Sequence, residues 1–312
     1  MVGARYPAPV VSGAMTIDDA ARRLATQLSG RRVSADLSSK WVEPPPGQLD
    51  RWYRRLARFR REVMPWLDAT RPLAGQKLLE VGVGRGASTV ALAEQGASVV
   101  GIDVAADDLA IAGEMLAAVE LDADLRCLNA TELNGVTDGV DHVIFWAVLE
   151  HMTVDERIAA LRAAWQALPP GGLLTTIETP NRLWPYDSHT AKLPYFSWLP
   201  AELAYRYSRR SPRAVFNEAY PEPAPPADKM LAFLRHGHGV SYHEYAVAFD
   251  VDHHDITVKS CMQLARRQAE PHRRAGWLLS HAGRTERLLR SYEPQTHRAW
   301  FQPFLYLTIE RT

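Results

Sequence analysis

The chain has 312 residues, 46% hydrophobic and 23% charged, and its 36 basic and 36 acidic side chains cancel to a net charge of zero. Such a composition describes a folded protein of about two domains, or one α/β domain with a large insertion. The balanced charge offers no global field to nucleic acid or an anionic membrane, and two distant cysteines, Cys127 and Cys261, call for no oxidising compartment.

The first fifteen residues lack the apolar core of a signal peptide, and no apolar run approaches about 18 residues, so a cytoplasmic location is expected. Abundant Ala and Arg point to a GC-rich bacterial genome. Residues 1–70 read as an N-terminal helical cap. Residues 17–28 have helical spacing, and VEPPPGQ at 42–48 is a breaker. Over 49–67, Trp52, Leu56, Phe59, Val63 and Leu67 recur at intervals of three and four, which predicts an amphipathic helix. Its other face carries Arg51, Arg54, Arg55, Arg58 and Arg61. That stripe reads as a solvated face, with RNA contact as the alternative.

From Lys77 the pattern changes. Apolar runs at 77–83, 98–104, 124–130, 140–148 and 173–179 predict strands, and 87–95, 107–119 and 154–168 predict the helices between them. Pro169-Pro170-Gly171-Gly172 is a strong stop. This alternation, over 71–180, predicts a doubly wound, mostly parallel sheet with its ligand outside the carboxyl ends of the strands. Residues 181–250 break the pattern with many aromatics and the proline cluster YPEPAPPAD at 220–228, and read as an insertion or lid forming the acceptor site. A strand at 254–262, a helix at 275–290 and a strand at 300–310 would close the core over 251–312.

The stretch LLEVGVGRGAST (78–89) carries the clearest chemistry. Gly82, Gly84 and Gly86 mark a strand-to-helix turn where backbone can approach a ligand. Asp103 ends the second strand, 21 residues beyond Gly82, a spacing that suits a carboxylate on ribose hydroxyls. Gly82-x-Gly84-x-x-Ala87 also fits a relaxed dinucleotide fingerprint, which keeps a nicotinamide-dependent oxidoreductase as a rival. Glu80 argues against it, since a carboxylate there repels a pyrophosphate and suits a cation.

Glu80-Val-Gly82-Val-Gly84-Arg-Gly86 resembles the first motif of the class I S-adenosylmethionine-dependent methyltransferases. The GID ending in Asp103, the segment Val148-Leu149-Glu150-His151-Met152 and Leu168-Pro-Pro-Gly-Gly172 extend the resemblance over roughly 75–180. It implies a seven-stranded sheet with an antiparallel last strand, N-terminal helices, and S-adenosyl-L-methionine as cofactor, released as S-adenosyl-L-homocysteine. It further implies cofactor contacts from Glu80, Gly82, Gly84, Gly86, Asp103, Val104, Asn129, Ala130, Phe145 and Trp146, with the last two opening onto the methyl group.

Methyl transfer to a hydroxyl is assisted by a base, and histidine is poised for that near neutral pH. The candidates are His151, His189 and His243, while His253 and His254 read as a solvated pair at a strand entrance. Residues 181–190 and the aromatic stretch behind them resemble a segment of bacterial small-molecule and sugar methyltransferases. The expected partner is a small acceptor, with no membrane, no nucleic acid, and a homodimer left open. A metal bound by Glu150, His151 and His189, helped by Asp187, is the alternative. It resembles the small-RNA 2′-O-methyltransferases, but Ala147 stands where their first glutamate does. Carbon or nitrogen methylation of an aromatic metabolite is the remaining reading.

Overall fold

The structure is a computed structural model and describes residues 48–133, 135–219 and 227–312. The helix expected at 17–28, almost all of the breaker and most of the proline cluster lie outside the described residues. The first element is α1 (Gln48–Arg58), which passes through one π turn (Phe59–Val63) into α2 (Met64–Thr70). Pro65 has no N–H to give the helical ladder, and the wider turn lies just before it. Trp52, Leu56, Phe59, Val63 and Leu67 are all buried, as their spacing predicts.

Five parallel strands alternate with helices: β1 (Lys77–Val81), α3 (Ala87–Ala93), β2 (Ser98–Asp103), α4 (Ala106–Ala118), β3 (Asp124–Cys127), β4 (His142–Trp146), α5 (Val154–Ala167) and β5 (Leu173–Pro180). The insertion then contributes α6 (Ala201–Ser208), α7 (Ala214–Ala219), α8 (Ala227–Leu234) and α9 (Tyr242–Phe249). It has an apolar cluster of its own, built on Phe196, Tyr205, Phe216 and Phe233. The chain closes with β6 (Val258–Cys261), α10 (Met262–Ala269), α11 (Pro271–Leu279), α12 (His281–Tyr292) and β7 (Phe304–Glu310).

The seven strands form one sheet in the order β3-β2-β1-β4-β5-β7-β6, with β7 antiparallel to both neighbours. β1 and β4 pair in parallel at the point where the order reverses, so a crevice opens beyond their carboxyl ends. Residues alternate between the two faces: Phe145 joins one apolar cluster and Ile144 and Trp146 the other. The edge strands are short and charged, with Asp124 and Arg126 exposed on β3 and Lys259 on β6, which discourages pairing with another chain.

Several boundaries differ from the sequence expectation. β3 stops at Cys127, because the Asn129 side chain accepts the Thr131 N–H and turns the chain. β6 begins only at Val258, since the Asp252 carboxylate accepts the His254 N–H and closes a short 3₁₀ turn. The helix expected at 275–290 is divided: Ser280 caps α12 by accepting the Gly283 N–H, and a separate helix, α11, starts at Pro271.

α5 starts immediately after the turn that follows β4, and a capping box secures it. Thr153 Oγ1 accepts the Glu156 N–H at 3.3 Å, and Glu156 Oε2 accepts the Thr153 N–H at 2.9 Å. Thr153→Ala should lower stability by about 1 kcal/mol, read from the denaturant midpoint; an unchanged midpoint would show that this cap contributes nothing.

Candidate active site

The glycine turn lies at the end of β1. A Cβ on Gly82 would stand 2.8 Å from Val148 Cβ and 3.0 Å from the Trp146 carbonyl, so close packing against β4 demands glycine there as much as its φ of +92° does. Gly84 differs: with φ +51°, a Cβ on it meets nothing within 4 Å, so it faces open space. Gly86, by contrast, packs on Ala112. Trp52 of α1 covers the turn by donating its indole N–H to the Arg85 carbonyl at 2.9 Å.

Glu80 is wholly buried beneath this turn. Its Oε2 accepts the Thr89 hydroxyl at 2.6 Å, and its Oε1 has no hydrogen-bond partner among the described residues. Burial pushes its pKa up to about 7 against the pull of the Ser88 and Thr89 hydroxyls. A buried, half-satisfied carboxyl beside an open glycine suits an ammonium group, and on that ground the residues fit the cofactor's cationic end.

Asp103 is half-buried at the tip of β2 and has a structural duty the sequence did not disclose. Its Oδ2 accepts the Gly84 N–H at 2.8 Å and its Oδ1 the Ala105 N–H at 3.0 Å, so it pins the glycine turn. Lone pairs remain on both oxygens for hydroxyl donors. Val104 is 62% exposed beside it, Asn129 closes the turn after β3, and Ala130 is buried. Phe145 and Trp146 were expected to open onto the methyl group. Their side chains lie in the core instead, Trp146 edge-on to Phe59 at 4.5 Å. Period-2 alternation along a fully covered strand sends both into packed layers.

Past β4, Ala147 adopts φ +49° and a 3₁₀ turn (Leu149–His151) follows. Here the structure brings three predicted residues together. Glu150 is wholly buried; its Oε1 is 3.9 Å from His151 Nε2 and 4.0 Å from His189 Nε2, and has no hydrogen-bond partner among the described residues. Burial raises its pKa to about 8. Burial also lowers both imidazoles, that of His189 further through the neighbouring His151. His151 Nδ1 lies 3.0 Å from the Arg235 carbonyl, which only accepts, so Nδ1 carries the proton and Nε2 is a bare acceptor.

Asp187 is no ligand in this arrangement. Its two oxygens take the backbone N–H groups of His189, Thr190, Ala191 and Lys192, which fixes the loop that presents His189. Among the described residues, the His, Asp and Glu ligand atoms close enough to share one ion belong to Asp252, His253 and His254 rather than to the Glu150 group. His243 does not join His151 and His189. It opens α9, stacks on Tyr242 at 4.0 Å and lines a separate cavity.

Sequence reasoning missed Glu178. It sits in a bulge of β5 with φ +62°, where the register with β7 slips between Thr176 and Thr179. Arg55 reaches it at 3.0 Å; Arg58 bonds both Glu178 and the Tyr306 hydroxyl. The basic stripe is therefore no plain solvated face: Arg55 and Arg58 clamp α1 to β5 and β7, while Arg60 of the π turn, outside that stripe, holds Glu94. A lone acid in the otherwise apolar-and-threonine run LLTTIETP was the available signal.

Residues 78–172 match a family model described as a methyltransferase domain. A ubiquinone biosynthesis O-methyltransferase of Pseudomonas entomophila is 33% identical over 129 residues, 39% of this chain and 55% of that protein. One from Pseudomonas aeruginosa is 33% identical over 137 residues, 41% of this chain and 58% of its own. The chain thus spans little more than half the length of these curated relatives. Among solved structures, an amino pentose methyltransferase of Micromonospora echinaspora with bound S-adenosylmethionine is 30% identical, covering 40% of this chain and 50% of its own, at a TM-score of 0.33.

Two titrations follow from the buried acids. A cation binds the ionised form of Glu80, so affinity for S-adenosylmethionine should be about tenfold weaker at pH 6 than at pH 8, levelling above about 7. Glu80→Gln should weaken binding and flatten the dependence in calorimetry; a pH-independent wild-type affinity would remove Glu80 from the cation's side. For Glu150, the unfolded chain ionises near 4.5 while the folded one keeps its proton to about 8. Stability of the unliganded protein should fall as pH rises across that window, by up to about 1.4 kcal/mol per unit, and Glu150→Gln should reduce the slope. An identical slope in the variant would refute the raised pKa.

Proposed function

The core of this chain belongs to the class I S-adenosylmethionine-dependent methyltransferases, and on that premise we propose that the protein methylates a hydroxyl of a small sugar-containing or natural-product metabolite, with His189 taking the proton. The observation that carries the base assignment is the unpartnered, buried Glu150 oxygen 4.0 Å from His189 Nε2. The names of the curated relatives specify O-methylation, which supports a hydroxyl acceptor.

When bound, S-adenosylmethionine supplies a methyl carbon on a cationic sulfur that leaves as a neutral thioether. The protein's part is to align and to move one proton. Glu80 and the open face at Gly84 receive the methionine end, and Asp103 offers its remaining lone pairs to the ribose. Thr190 Oγ1 lies 3.3 Å from His189 Nδ1; with Nδ1–H donated there, Nε2 is the acceptor for the substrate hydroxyl. The imidazolium so formed faces Glu150, whose carboxylate stabilises it. Because burial holds Glu150 protonated up to about pH 8, the base form of the pair fills as pH approaches that value. The metal-assisted reading gains no support: Ala147 occupies the place of one ligand, and Asp187 is committed to backbone.

Incubation with a metabolite extract and methyl-labelled cofactor, read by mass spectrometry, tests the transfer; tight cofactor binding with no labelled product would sink it. His189→Ala should depress kcat by roughly 10²–10⁴ while leaving cofactor affinity intact. Wild-type kcat/KM should rise toward pH 8. Full turnover in the variant would remove His189 from the reaction.

A further inference from the structure

Between α9 and β6 the chain reads Asp252-His253-His254-Asp255, and the expectation of a solvated histidine pair holds for His254 alone. The His253 side chain is only 20% exposed. Asp252 caps the 3₁₀ turn (His253–Asp255) by accepting the His254 N–H at 2.9 Å, and the two imidazole rings lie 3.8 Å apart. One ligand atom from each of Asp252, His253 and His254 stands within 4.8 Å of the other two. Small rotations of the exposed Asp252 and His254 side chains bring such a set to bonding distance.

The His253 ring is already oriented. Tyr242 of α9 stacks on its face at 4.7 Å. Its two nitrogens meet different acids: Nε2 is 3.7 Å from Glu293 Oε2 at the end of α12, and Nδ1 is 3.3 Å from Asp252 Oδ1. Nε2 is buried and has no hydrogen-bond partner among the described residues. A proton on Nε2 points to Glu293 and leaves Nδ1 a bare acceptor. A bare nitrogen and a carboxylate oxygen 3.3 Å apart repel each other unless a proton or a metal ion lies between them. That separation is also the one two ligands of a tetrahedral zinc keep, about 3.3–3.4 Å for bonds near 2.0–2.1 Å. A proton has no use for the second imidazole beside them; a metal ion does. Imidazoles that bind metals give their other N–H to a carboxylate, which is the place Glu293 holds.

The surroundings favour a dication. Residues 236–258 contain no lysine or arginine, while Asp250, Asp252 and Asp255 all fall within them. Two imidazoles and one carboxylate suit zinc and the later first-row metals, whereas magnesium and calcium take oxygen ligands. We propose that Asp252, His253 and His254 bind one divalent transition-metal ion of the zinc class, with Glu293 orienting His253 from α12. The ion would fasten the turn after α9, and through Glu293 tie it to the end of α12. This site is distinct from the Glu150 group and independent of the methyltransferase reading.

The test is calorimetric titration of zinc into the tag-free full chain near neutral pH. Wild type should take up one zinc ion, and neither magnesium nor calcium should compete. His254→Ala and Asp252→Asn should each weaken zinc by at least about tenfold, and Glu293→Gln by about tenfold through the loosened ring. Both His254 and Asp252 are exposed, so the variants should keep the wild-type circular dichroism spectrum. Saturating zinc should raise the Tm of wild type and leave that of His254→Ala unmoved. Absent zinc binding, or an affinity that survives both His254→Ala and Asp252→Asn, would overturn the assignment. Zinc binding lost in Glu150→Gln but kept in His254→Ala would overturn it too, by placing the ion at the other histidine group.

Discussion

Two carboxyl groups without solvent and without full hydrogen bonding set the terms for this molecule. Glu80 and Glu150 have no exposed surface, and each keeps one oxygen unpartnered among the described residues. Burial of that kind opposes folding unless the group stays protonated or meets a cation. Both acids stand at the carboxyl ends of paired strands, β1 and β4, where the sheet order reverses. Strand β1 holds Glu80, and the 3₁₀ turn after β4 holds Glu150, both beside the crevice where the proposed chemistry would use them.

Other acidic and basic side chains nearby show the opposite condition. Asp103 takes two backbone N–H groups, Asp187 takes four, and Arg157, buried to 1% exposure, donates to four carbonyls and to Glu244. These side chains shape loops: Asp103 the glycine turn, Asp187 the loop with His189, Arg157 the turn with Glu150. Satisfied charges build the frame, while unsatisfied ones are left for ligands. The same residue type does either job according to what surrounds it.

The N-terminal helix belongs to the same frame. Trp52 bonds the glycine turn, and Arg55 and Arg58 meet Glu178 above β5, so α1 closes one side of the crevice. Glu178 reaches that position because a bulge rotates it out of the period-2 alternation that buries its neighbours. No helix among the described residues is long and apolar enough to cross a membrane.

The alternation of apolar runs with helical periods, the glycine turn, and the acids Glu80 and Asp103 were legible in the residues alone. Each of these is a local property: strand period, backbone freedom at glycine, spacing along one β–α–β unit. The order of the sheet, the approach of His189 to Glu150 across 39 positions, and the separation of His243 from both were not. Nor was the inward burial of Phe145 and Trp146, which a strand covered on both faces imposes regardless of how inviting its end looks. Sequence by itself determined which cofactor class the first β–α turn suits, because that turn is made of neighbouring residues. Only the tertiary structure decided which acids stay buried and unpaired and which histidines meet them, because burial and long-range contact arise from packing of segments distant along the chain.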